Sequence, residues 1–220
     1  MTTSIPIVMV SVADPVGAGL VASLGRPGGN ITGLSRQGPD LVGKQLQLLK
    51  EALPRTTHVG VLVSPTEPLR AVVARLTREA AASLGMQATI LEPHAPDELA
   101  AAFATLRSER VHALIVGGSG GYYLSRGEIA DLALRDRLPT MFQNRESAEA
   151  GGLMSYAASS VANYRRAAFF VEHILRGTKP ADLPIEQPTR FELFVNLKTA
   201  RALGLTIPRS VLLRADAVLQ

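Results

Sequence analysis

Apolar and polar positions along this chain fall into two alternating rhythms. Short, nearly continuous apolar runs read as strands, and longer segments with apolar residues every three or four positions read as helices. The clearest unit runs from Val111 to Tyr156. Its first apolar run, Ala113–Val116, ends in glycines, and a helix-length segment follows with Ile129, Leu132, Ala133 and Leu138 at roughly helical spacing. A second run, Pro139–Phe142, ends in the polar Gln143 and Asn144. Strand, helix and strand, with glycine and polar residues at the carboxyl ends of the strands, is the pattern of an open parallel sheet, whose rim at those ends binds ligands.

The same unit recurs upstream. Ile5–Ala13 is apolar almost throughout, as a strand covered on both faces requires. It ends at Asp14-Pro15, a capping residue and a first-turn proline that predict a helix over VGAGLVASL. GRPGGNITGLS supplies a turn and a short strand, and DLVGKQLQLLKEAL an amphipathic helix stopped by Pro54. HVGVLVS (58–64) is the next buried-type strand. Ser64-Pro65-Thr66-Glu67-Pro68 is expected to begin a helix reaching Leu84, then a strand covers Met86–Glu92 and a helix runs from Pro96-Asp97 to Arg107. From His58 to Tyr156 this order predicts a doubly wound α/β lobe, residues 56–156. Beyond it come a long amphipathic helix capped at Ser159/Ser160, a Pro-rich stretch, the strand RFELFVN, the helix LKTARALG and the tail IPRSVLLRADAVLQ. Residues 1–55 and 157–220 are expected to pack together as a second, incomplete α/β lobe.

Composition narrows the function. The chain has 220 residues, 46% of them hydrophobic, without an apolar run near the ~18 residues of a membrane span. Its net charge of +4 comes from scattered arginines, with no dense basic run and no interleaved aromatics, so nucleic acid is not an expected partner. The absence of cysteine excludes disulfides and thiolate metal sites. The four histidines have no metal-ligand spacing, and no P-loop or dinucleotide fingerprint is present, so no cofactor is expected. Met1-Thr-Thr-Ser leads straight into IPIVMVSVA, which does not read as a signal peptide.

Candidate ligand residues gather where the predicted strands end. Ser64, Thr66 and Glu67 fall where a strand meets a helix N-terminus, a position that favours a carboxylate, or else Ser or Thr simply caps the helix. Asp14 can pair with a ligand ammonium or cap its own helix. Asn144 both donates and accepts, and Glu146 can take an ammonium group. Tyr123, beside Tyr122, can cover a flat ligand or pack over a helix start, and Tyr156 can line a cleft or end a core strand. Gly117-Gly118-Ser119-Gly120-Gly121 has the G-x-S-x-G spacing of a nucleophile elbow. An α/β hydrolase using Ser119 is the enzymatic alternative. Against it stand the missing HGG-type oxyanion segment and His173, which lies within an amphipathic helix.

DPVGAGLVASLGRPGGNITGLS, GKQLQLLKEALP, EAGGLMSY and PADLPIEQPTRFELFVNLKTARALGLTIP together resemble the tryptophan/tyrosine-type solute-binding proteins of ABC transporters. The resemblance covers nearly the whole chain. It implies a type I periplasmic-binding-protein fold, with two α/β lobes holding a small amino-acid-like or aromatic solute and no enzymatic activity. It also implies permease and ATPase partners and a periplasmic location, or a cytoplasmic one if the start at Met1 is genuine. By the same resemblance the segment around Ser64–Glu67, the loop at Ser119 and the strand end at Asn144 touch ligand. Members of that family carry further β-α units ahead of IPIVMVSVADP, so the first lobe is expected to be incomplete and the chain to form a homodimer. An effector-binding domain on the same fold is the remaining alternative.

Overall fold

The computed structural model describes residues 2–36 and 38–220. Its strands are β1 (Ile7–Val12), β2 (Ile31–Ser35), β3 (His58–Leu62), β4 (Gln87–Leu91), β5 (Ala113–Val116), β6 (Thr140–Phe142), β7 (Met154–Ala158), β8 (Phe191–Asn196) and β9 (Ala217–Leu219). Helices α1 (Gly38–Ala52), α2 (Arg70–Ser83), α3 (Leu99–Ser108), α4 (Gly120–Leu124), α5 (Arg126–Arg135), α6 (Arg145–Glu149), α7 (Ser160–Leu175), α8 (Leu197–Leu203) and α9 (Arg209–Leu212) connect them.

Seven strands form one sheet in the order β4-β3-β5-β6-β7-β8-β9. β3 pairs in parallel with β4 and β5, β5 with β6, β6 with β7, and β8 with β9. Strand side chains point alternately to opposite faces. Val59, Val61, Ala113, Ile115 and Met154 therefore join Leu46 and Leu49 of α1 on one face. Leu62, Leu114, Val116 and Phe142 join Leu99, Phe103 and Ile129 on the other. Each fully buried Leu, Ile or Phe contributes roughly 1.5–3 kcal/mol, which is why these strands are apolar at every position rather than at every second one.

The chain divides into two compact units: Met1–Gly38 with Ala158–Phe191, and Pro39–Ala157 with Glu192–Gln220. This differs from the expected division at 1–55/157–220 and 56–156. α1 buries its apolar face on the seven-stranded sheet, and Leu193, Val195, Ala200 and Val211 of the C-terminal segment enter the same core. β8 brings a second difference. The Asn196 amide donates to the Leu153 carbonyl (2.8 Å) and the Ser159 amide to the Arg190 carbonyl (3.3 Å). The end of β8 thus lies beside the start of β7, so β8 runs antiparallel to it in an otherwise parallel sheet.

The smaller unit holds β1 and β2 paired in parallel. Met9, Val21, Ile31 and Ile185 pack on one side, and Leu34, Ala167, Phe170 and Leu183 on the other. The helix expected after Asp14 is absent: residues 15–19 form turns. The Ala18 amide reaches the Asp14 carbonyl (3.0 Å), but Gly19 has φ +68, which ends any helix after one turn. The single helix expected between β5 and β6 is two, α4 and α5, meeting at Ser125.

The closest backbone approach in the smaller unit lies at Gly33 of β2. Its φ is +124, and a Cβ there would sit 2.2 Å from the Met9 carbonyl oxygen. Gly33→Ala combines that clash with backbone strain of about 1–3 kcal/mol. Urea denaturation is expected to show an early transition of the smaller unit in this variant and an unchanged midpoint for the larger one.

Candidate functional site

Parallel pairing fixes where the candidate residues fall. Leu62 is in register with Val116, Ile115 with Met141, and Phe142 with Ser155. The segments following β3, β5 and β6 therefore emerge along one rim of the sheet. Ser64, Thr66 and Glu67 follow β3, Ser119 and Tyr123 follow β5, and Asn144 and Glu146 follow β6; Tyr156 lies within β7. Asp14 belongs to the smaller unit.

Each side chain has local work. Ser64 is buried, and its Oγ lies 2.9 Å from Thr66 Oγ1. The Glu67 amide donates to the Ser64 carbonyl (2.9 Å) and the Arg70 amide to that of Glu67 (3.2 Å). These residues form a turn ahead of α2, not its N-terminus as expected. Pro65 and Pro68 disfavour helical geometry at Ser64 and Glu67, so α2 starts only at Arg70. Asp14 Oδ1 accepts from the amides of Val16 (3.1 Å) and Gly17 (2.8 Å), the capping alternative, although only a turn follows.

Ser119 caps α4, its Oγ accepting from the Tyr122 amide (3.1 Å). Among the described residues no histidine hydrogen-bonds to Ser119. His173 lies in α7 of the smaller unit, its Nδ1 2.9 Å from the Phe169 carbonyl. Tyr123 is 40% exposed, with the Arg126 guanidinium 4.6 Å from its ring centre. Its neighbour Tyr122 is buried, and its hydroxyl lies 3.0 Å from the Val63 carbonyl and 2.9 Å from that of Pro93. That hydroxyl ties the loops after β3 and β4 to α4.

Asn144 caps α6, its Oδ1 accepting from the Ser147 amide (2.8 Å) and hydroxyl (2.6 Å). This orients the side chain and leaves its NH2 group without a partner among the described residues. The half-buried Glu146, one turn into α6, makes no ion pair among them. Tyr156 is half-buried, and burial raises its hydroxyl pKa; Arg214 opposes the shift and Asp216 adds to it.

Arg214 and Asp216 were not legible as neighbours of this rim. The antiparallel β8 carries them there: Asp216 accepts from the Leu193 amide (2.8 Å), and Arg214 pairs with Glu51. Gln45, fully buried, donates from Nε2 to the Tyr156 carbonyl (2.9 Å), behind the rim. Among the described residues no cluster of three His, Cys, Asp or Glu is arranged for a metal. No helix among them is long and apolar enough to cross a membrane.

An α/β sheet with loops converging at one rim defines a ligand-binding protein of the type I periplasmic-binding class, and comparison with known proteins agrees. Residues 1–219 match the family of ABC transporter substrate binding proteins, and the chain belongs to it. A tyrosine-binding protein of Clostridioides difficile (strain R20291) is 25% identical over 93% of this chain, which spans 58% of that relative's length. The structure is similar to an ABC domain from Streptococcus pneumonia in complex with L-Trp, with a TM-score of 0.90 and 28% identity over 99% of this chain and 73% of that one. It is also similar to a conserved domain protein from Vibrio cholerae o1 biovar eltor, again with a TM-score of 0.90 and 28% identity, over 99% and 72%. The family is one of substrate binding rather than catalysis.

The Tyr122 hydroxyl provides a check on how the rim is held. Tyr122→Phe removes a hydroxyl buried against two carbonyls and is expected to cost about 1–3 kcal/mol in chemical denaturation. Burial raises its pKa far above the ordinary 10.0. A folded-state value above the unfolded one gives stability that is full below about pH 10 and falls as pH rises beyond it. Part of that alkaline loss is expected to vanish in Tyr122→Phe, measured as the unfolding free energy against pH.

Proposed function

We propose that this chain is the solute-binding component of an ABC importer and takes a small aromatic amino acid at the rim of its larger unit. The observation that carries the reading is the pair after β6. The Asn144 amide nitrogen, oriented by its own cap and unengaged, suits a carboxylate, and the half-buried, unpaired Glu146 suits an ammonium. Ser64, Thr66, Glu67 and Ser119 bring further polar groups to the same rim. Tyr123 and Tyr156 offer aromatic faces for the ring of the solute. Asp14, from the smaller unit, is a further candidate for the ammonium. The family match and the similarity to a protein holding L-Trp support this chemistry.

The partners in this reading are a permease and an ATPase, and the location is the periplasm. The assembled state is a homodimer, supported by β1, which has no strand on its second edge among the described residues.

The chain contains no tryptophan, so added L-Trp is the only indole emitter in a mixture of the two. Titration of L-Trp with protein is expected to give a saturable rise in indole anisotropy, with a Kd weaker than about 1 µM for an incomplete lobe. Glu146→Gln is expected to weaken it about tenfold or more, and Asn144→Asp, which keeps the cap but repels a carboxylate, likewise. No saturable change up to millimolar protein, with native circular dichroism, would overturn the reading.

A further inference from the structure

The smaller unit leaves one face unfinished. β2 is buried along its whole length, whereas Met9 alone is buried in β1. On its far side β2 is followed by Glu186, bridged to Leu34. On the far side of β1 no strand follows among the described residues.

α7 lies over these strands, and its side chains show which flank faces the open edge. Asn163, Ala167 and Phe170 are buried beneath it. Arg166, to one side of that row, bonds Glu186 through Nε (2.8 Å) and Nη2 (2.6 Å), so this flank lies towards β2 and the strand beyond it. At 3.6 residues per turn, Tyr164, Ala168, Val171 and Leu175 fall on the opposite flank, above the open edge of β1. They are apolar and exposed: Tyr164 by 69%, Val171 by 45% and Leu175 by 81%. With Val161 they recur at alternating three- and four-residue spacing, the seam of a helix pair. Ala167 and Ala168 floor a groove of about 590 Å³ between Tyr164, Val171 and Leu175. Strand edge and helix seam thus end on the same side.

We propose that this face is closed by a second copy of the chain across a two-fold axis, β1 pairing with β1 and α7 with α7. The inference rests on the homodimer reading above and adds the surface that forms it. A two-fold normal to the sheet sets the two β1 strands antiparallel and keeps both α7 helices on one face as antiparallel neighbours. One operation satisfies both features, and the contact closes on itself. In the helix pair, Ala168 meets Val171 of the second copy and Tyr164 meets its Leu175, so small residues occupy the centre and large ones the ends. Charge fits as well. Arg165 makes no ion pair among the described residues, and the antiparallel pair sets it beside Glu172 of the second copy. Within one chain Glu172 has only the exposed Arg176 (2.6 Å), a pair worth little.

Sedimentation equilibrium of the full chain at micromolar concentrations tests this. The expected result is a dimer that does not grow further, and loss of that dimer in Val171→Glu with unchanged circular dichroism. Arg165→Glu is expected to weaken dimerisation about tenfold, because two symmetry-related contacts become repulsive, and adding Glu172→Arg to it is expected to restore affinity. A wild-type monomer would overturn both this surface and the homodimer reading. A dimer indifferent to Val171→Glu and Arg165→Glu would overturn the surface alone, as would open-ended association. Neither result depends on L-Trp binding, which the anisotropy titration reads separately.

Discussion

In a parallel sheet every strand ends at the same rim, and the candidate site depends on that constraint. Each crossover helix must return the chain to the far end before the next strand begins. The loops after β3, β5 and β6 consequently share one edge although they are separated by about fifty and twenty-five residues of sequence. Their polar side chains can act together because the backbone directions are the same. The short helices α4 and α6 begin at that rim, each with its first side chain, Ser119 or Asn144, folded back onto backbone amides.

Capping and ligand recognition compete for the same atoms, and the structure separates them. Ser119 Oγ is occupied by the Tyr122 amide. Asn144 divides its labour: the oxygen is held by Ser147, and the nitrogen is left to face outward chemistry. A residue with one end fixed and the other free binds with little ordering cost, which favours Asn144 over the mobile side chains nearby. Tyr122 stabilises the rim from behind, its hydroxyl drawing two loop carbonyls to one point.

Most of the larger unit was legible from period alone. The fully apolar runs at Val59–Val63 and Ala113–Val116 require cover on both faces, and they have it. What escaped was set by distant pairing. RFELFVN reads as a strand but carries no sign of direction, and its antiparallel placement beside β7 brought Arg214 and Asp216 to the site. Asp14-Pro15 reads as a helix start, yet Gly17 and Gly19 make the helix body too costly to propagate. Ser64 and Glu67 were placed on a helix because capping residues were weighed above the prolines that follow each of them. The share of α1 and of residues 192–220 in the larger unit depended on which core their apolar faces entered, a tertiary choice invisible to local pattern.

The smaller unit draws its strands from residues 7–35 and its covering helix from 160–175. A ribosome makes those strands first and must add more than a hundred residues before α7 exists to shield Val8, Val10 and Leu34. Contacts of such sequence separation form late, since the intervening chain must be closed into a loop first. For that interval the nascent β1–β2 segment is an uncovered apolar ribbon. A chaperone that holds extended apolar chain would therefore engage this protein at its earliest-made strands, before the binding rim has been translated.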